Sequence, residues 1–209
     1  MKHNTGMVVA GHSATADAGA AILRAGGNAV DAAIAAITTS FCAEPVLTAA
    51  GGGGFMLVAD PHKQPALFDG FARMPSARIP GTFDIELKAV PIDFGDTVQT
   101  FHIGQASVGT PSLLAMLFEA HRQHGKLPLI EALAPGIDAA RSGIRLNALQ
   151  ASFISLLKPI LTSTVSSKSL HAPAGQLLTE AENFSNPDLA NTLEMLAIEG
   201  INEMYHGDL

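Results

Sequence analysis

One cysteine, Cys42, stands alone in 209 residues. A single thiol excludes an intrachain disulfide framework and supplies no CxxC half-site for zinc. Basic residues are also scarce: 12 Lys and Arg face 19 Asp and Glu, for a net charge of −7. That balance argues against a nucleic-acid module, which needs a basic footprint to neutralise phosphates. Long apolar runs are missing. The uncharged stretch Ala32–Ala43 is far short of the about 20 residues that cross a bilayer, and Gly51–Gly54 breaks the next one. The start, Met1-Lys2-His3-Asn4-Thr5-Gly6, has no apolar region before a small-residue cleavage site. The expected location is the cytoplasm, or the periplasm or exterior had a leader been removed.

Enough apolar matter is present to fold. Hydrophobic residues make up 47% and charged residues 15%, outside the range of disordered chains. The length fits one domain, or one and a part.

Two helices open the chain. Ser13 is placed to cap the first, Ala14–Ala25, with Asp17 in its opening turns and Gly26-Gly27 as its stop. Asn28 caps the second, where Val30, Ala33, Ile34, Ile37 and Phe41 form one stripe up to Pro45. The alanines predict close helix packing. After Gly51–Gly54, the run Phe55–Ala59 reads as a buried strand, with Ala66-Leu67-Phe68 as its hairpin partner. Thr97–Phe101 has the β-branched content of a third strand.

The rest is largely helical. Pro111 suits the first position of a helix carrying Leu113, Met116, Leu117 and Ala120 on one face. Ile130, Leu133, Ala134 and Ile137 mark the next, with Gly143 beyond it, and Asn186-Pro187 opens a last helix with Leu189, Leu193 and Leu196. Thr162–Lys168 reads as a polar loop. Helices, a few strands, then helices predict an α+β domain with too few strands to close its own sheet. The expectation is one partial domain spanning 1–209, part of a larger whole.

Few motifs carry chemistry alone. The tetraglycine precedes a strand and lacks the Lys-Ser/Thr ending of a phosphate loop, leaving a tight core crossing or a ligand site. His121 and His124 have metal-ligand spacing but no third ligand, so a solvated helix end is expected. Cys42 reads as a small buried hydrophobe, and Thr38, Thr39 and Ser40 as hydroxyls bonded back to their own helix. Asp69-Gly70 is a turn signal, and Arg73 and Arg78 beyond it could grip a carboxylate. No cofactor or metal is called for.

At this point the residues resemble a known family. Gly6-Met7-Val8-Val9, Ala14-Thr15, Ala18-Gly19 and Leu23–Ala33 are similar to the start of gamma-glutamyltransferases (gamma-glutamyltranspeptidases). Glu44-Pro45 followed by Gly51–Val58 resembles that family's glycine signature. Gly109–Ser112, His124–Pro128, Ala134-Pro135, Ile137, Ala140-Arg141, Gly143, Asn186–Leu193, Glu199-Gly200 and Tyr205–Asp208 follow in order. The likeness runs nearly end to end.

The resemblance implies an N-terminal-nucleophile hydrolase, an αββα sandwich whose precursor cuts itself into large and small subunits. The small subunit's new N-terminal threonine attacks a gamma-glutamyl amide such as glutathione, and the acyl group passes to water or an amine. A hydroxyl nucleophile with its own α-amino group as base suits that chemistry. The likeness covers only the N-terminal part of the large subunit, so no catalytic nucleophile is expected here, and a small subunit or C-terminal remainder is the expected partner. A fragment, a truncated product and one chain of a pair all fit, as does an inactive remnant acting as a binding partner. The family also has Asp-x-Arg-Glu before Ala-Pro, its arginine gripping the substrate's α-carboxylate. Here Phe71 holds the arginine position and Ala72 the glutamate position, between Asp69 and Pro75. Arg73, two residues on, is the candidate substitute for substrate binding, because i and i+2 share a face in an extended strand.

Overall fold

The computed structural model describes residues 6–76 and 85–207. Nine α-helices, one short 3-10 helix (Gln105–Ser107) and six short strands occur among them. The scaffold is helical. α1 (Ser13–Arg24) and α2 (Ala29–Ala43) form an antiparallel pair, and α4 (Leu129–Ser142) lies on the other side of α2. α8 (Pro187–Glu199) packs outside α4.

Local chemistry sets these boundaries. His12, not Ser13, caps α1: its Nδ1 accepts from the Ala14 amide at 3.1 Å. The correction is one residue, and imidazole replaces hydroxyl. Asn28 caps α2 as expected. Its side chain accepts from Val30 and Asp31 amides, and the Asp31 carboxylate accepts from the Asn28 amide at 2.9 Å, closing a capping box. Asn186 caps α8 through the Leu189 amide.

The expected stripe on α2 is only part of its buried surface. Val30, Ile34 and Phe41 join the main core, while Ala32 and Ala35 pack with Ile22 of α1. The helix is covered on nearly every side, so no single stripe describes it. Small residues let its neighbours approach. A Cβ on Gly136 of α4 would sit 2.5 Å from Thr38 Cβ. Arg141 of α4 then grips Glu194 of α8 with two bonds of 2.9 and 2.8 Å.

The strands form three antiparallel pairs, two of them hairpins. β1 (Phe55–Val58) pairs antiparallel with β2 (Ala66–Asp69), with Phe55 opposite Asp69. β3 (Lys88–Asp93) pairs with β4 (Val98–Ile103), and β5 (Ile144–Arg145) with β6 (Asn183–Phe184). β1 is not the buried strand expected: Met56 faces the core, but Phe55 and Leu57 face outward. β3 was not anticipated, because Pro91 interrupts it, yet Pro91 fits opposite Thr100 in a hairpin with no further strand among the described residues.

α3 (Leu113–His124) packs beneath the β1–β2 hairpin, burying Leu113, Met116, Leu117 and Ala120 as their spacing required. It begins after Ser112, so Pro111 precedes the helix rather than opening it. α5 (Ala148–Leu156) and α6 (Lys158–Leu161) follow, and α7 (Val165–His171) replaces most of the expected 162–168 loop. The Thr164 hydroxyl caps it by accepting from the Ser167 amide. α9 (Glu203–His206) is fastened by Tyr205, whose hydroxyl donates to the Pro111 carbonyl at 2.6 Å. No helix among the described residues is long and apolar enough to cross a membrane.

Candidate active-site cleft

The tetraglycine resolves into a backbone crossing. Gly54 and Gly70 exchange amide–carbonyl bonds of 3.2 and 2.9 Å, continuing the β1–β2 ladder by one pair. Gly53 then runs against the next two residues: a Cβ there would lie 2.7 Å from the Ala72 amide and 3.0 Å from Phe71 Cα. A Cβ on Gly70 would lie 2.6 Å from Met116 Cβ. Gly53 is thus a close backbone crossing, but an exposed one at the surface rather than in the core. The crossing also brings chemistry with it, because it holds residues 69–73 at the lip of open space.

Three groups meet on that segment. Asp69 Oδ1 accepts from the Phe71 amide at 2.9 Å, the expected turn. Its other oxygen lies 3.6 Å from Arg73 Nη2, so the guanidinium reaches back along the chain. The Phe71 ring stacks on Phe55, centroids 5.7 Å apart and planes 15° apart. Arg73 is clamped by its backbone, its amide donating to the Thr110 carbonyl at 3.1 Å and its carbonyl accepting from the Thr110 amide at 2.6 Å. Its side chain stays 71% exposed. A cleft of about 640 Å³ opens here, lined by Arg73, Met74, Ile85, Ser107 and Val108. A smaller cavity of about 250 Å³ lies at the glycines themselves, beside Ser40, Phe41, Phe55 and Met116.

Arg73 can offer a fork of N–H groups to a carboxylate or phosphate. Asp69 is its only charge partner among the described residues, and at 3.6 Å it is a loose one. Arg78 lies outside the described residues.

The other candidates sit apart from this cleft. The Thr38 hydroxyl is buried and donates to the Ile34 carbonyl at 2.9 Å, and Ser40 donates to Ile37 at 2.7 Å. Both are bonded into their own helix, as expected. Thr39 departs from that expectation: its Oγ1 is buried with no partner among the described residues. Cys42 is fully buried, and burial pushes its thiol up to about 11, the behaviour of an inert core group.

The histidine pair corrects the expectation of a solvated helix end. His121 turns inward, its Nε2 2.8 Å from the Leu127 carbonyl and 3.7 Å from Asp31 Oδ1. His124 meets Phe68 edge-on at 5.7 Å. Asp31, fully buried, accepts from the Asn28, Lys126 and Leu127 amides. This hub was not identified from the residues; the signal was present in Asn28-x-x-Asp31, which is a capping pair with an acid too buried to serve the cap alone.

The Gamma-glutamyltranspeptidase family model matches residues 15–209. A glutathione hydrolase proenzyme of Bacillus subtilis (strain 168) is 32% identical over 204 residues, covering 97% of this chain and 34% of its own. An acylase ACY 1 proenzyme of Pseudomonas sp. (strain V22) is 28% identical over 204 residues, 98% of this chain and 37% of its own. The crystal structure of the Bacillus anthracis transpeptidase enzyme CapD superposes with a TM-score of 0.77 at 26% identity, covering 98% of this chain and 62% of that one. The chain spans about a third of the length of the curated relatives it matches. The helix-rich α+β architecture with incomplete sheets, part of an N-terminal-nucleophile hydrolase sandwich, is as the sequence led us to expect. Motif order, fold and family match agree, and the chain belongs to the gamma-glutamyltranspeptidase family.

Proposed function

We propose that this chain is the large-subunit part of an acyl-transfer enzyme, a single partial domain over 1–209, acting on gamma-glutamyl or related acyl amides of the glutathione type. The observation that carries this reading is the Gly53 crossing, which sets a clamped, solvent-facing arginine at the lip of a 640 Å³ cleft in a chain of this family. Relatives named as proenzymes, of which this chain matches about a third, support a remainder that supplies the nucleophile.

In this mechanism an N-terminal threonine hydroxyl from that remainder attacks the amide carbon. Its proton passes to the α-amino group, which titrates near neutrality. The C–N bond breaks, the amine leaves with that proton, and an ester remains. Water or an acceptor amine then attacks the ester and returns the hydroxyl. Arg73 binds and orients the acyl group through its free carboxylate, with Asp69 holding the guanidinium in place when the cleft is empty.

The test is release of p-nitroaniline from gamma-glutamyl-p-nitroanilide by the natively purified protein. Arg73→Ala should raise KM roughly tenfold to a hundredfold, the value of one charge-assisted pair, and leave kcat within about threefold. An unchanged KM would remove Arg73 from the site.

A further inference from the structure

Arg73 is aimed by its backbone. Its side chain is mostly exposed and its ion pair with Asp69 is loose, so the direction of the fork follows from where the chain holds the Cα. Two anchors lie upstream, the Asp69–Phe71 turn and the Gly53 approach. The third is at Arg73 itself, which exchanges both backbone bonds with Thr110 in an isolated bridge. One pair of backbone bonds has a modest net worth, so the bridge is only as firm as Thr110.

Thr110 is steadied from a distant segment. Pro111 follows it, and no backbone amide among the described residues donates to the Pro111 carbonyl, because α3 starts its ladder at Ser112. The donor is the Tyr205 hydroxyl at 2.6 Å, 94 residues away in sequence. α9 brings it there: Ile201 and Met204 pack against the main core, and Tyr205 is itself half-buried. Losing that hydroxyl would leave the carbonyl without its partner. The same segment also forms part of the cleft, since Ser107, Val108 and Gly109 line it together with Arg73. A Cβ on Gly109 would lie 3.5 Å from both Ala72 Cβ and the Arg73 carbonyl, so the two segments run in contact. A shift at Pro111 therefore reaches both.

We infer that Tyr205 is a positioning residue for the cleft: through Pro111 and Thr110 it sets the backbone of Arg73 and of 107–109, so that binding of a carboxylate-bearing acyl group requires α9 to be docked. Tyr205 does not line the cleft, and its effect is transmitted. The role rests on the acyl-transfer reading above, with Arg73 as the anion-binding group.

Tyr205→Phe keeps the ring and removes only the donor. With gamma-glutamyl-p-nitroanilide and the natively purified protein, it should raise KM about threefold to tenfold and leave kcat within about threefold. On the Arg73→Ala background the same change should add nothing to KM, because the group it positions is gone. Gly136→Val, a packing loss at the α2–α4 crossing, should leave KM within about twofold. An unchanged KM in Tyr205→Phe, a rise that persists in full in the double variant, or an equal rise in Gly136→Val would each overturn the role and leave the acyl-transfer reading standing.

Amide hydrogen exchange reads the same coupling without substrate. Tyr205→Phe should speed exchange at the Thr110 and Arg73 amides about threefold or more, and leave the Gly54 and Gly70 amides unchanged. If the parent protein shows no turnover, the acyl-transfer reading falls and exchange alone decides. Faster exchange confined to Arg73 and Thr110 upholds Tyr205 as the residue that holds this backbone, and equal exchange overturns it.

Discussion

At the scale of single residues, the buried groups of this chain divide by whether a partner awaits them. Asp31 is a carboxylate taken wholly out of water, acceptable only because three backbone amides converge on it. Removing it orphans those amides. Asp31→Ala should therefore destabilise the fold by about 3–5 kcal/mol in urea unfolding, and Asp31→Asn, which keeps one acceptor oxygen, by less. Cys42 shows the opposite case, a group content to stay neutral. Its thiol is raised from an ordinary 9.0 to about 11, so the unfolded chain deprotonates first. Its contribution to stability is complete below about pH 9 and fades as pH climbs toward 11. Iodoacetamide at mildly alkaline pH should alkylate Cys42 only as fast as the protein unfolds.

The elements show what the residues made legible. Helices α2 and α8 could be placed from Asn28 and Asn186, because a cap is a local device whose hydrogen bonds span three residues. Hairpin β1–β2 could be placed because glycine and Asp-Pro punctuate it. β3 could not, since its partner fixes it and Pro91 argues against it until that partner is known. α7 was hidden because its serines favour turns and only the Thr164 cap tips the balance. The cleft was partly legible. Arg73 and Phe71 stood out as neighbours of a displaced motif, but the stack on Phe55 and the clamp from Thr110 join distant segments that no local pattern links. Packing between elements gives its own test. Gly136→Val places branched carbons into Thr38 at the α2–α4 crossing and should cost about 1–3 kcal/mol, lowering the melting temperature without changing helix content by circular dichroism.

For the whole molecule, two hairpins and one short pair of distant strands ride on one helical scaffold, and the β1–β2 hairpin with the residues just beyond it turns four large apolar side chains outward, each between 58% and 67% exposed. The contacts of α2 with α4 and of α4 with α8 join segments distant in sequence, so the neighbouring α1–α2 pair is expected to form first and the rest of the scaffold to follow. One small fastening reports on that assembly. The chain has no tryptophan and one tyrosine, and that tyrosine ties α9 to the start of α3. All of this chain's phenol emission thus comes from a single joint between α9 and the start of α3. Burial holds the Tyr205 hydroxyl above the ordinary tyrosine range, so its phenolate absorbance should rise at higher pH in the native protein than in denaturant. Nature has left a built-in optical gauge there, readable without any label, for whether α9 stays latched to the start of α3.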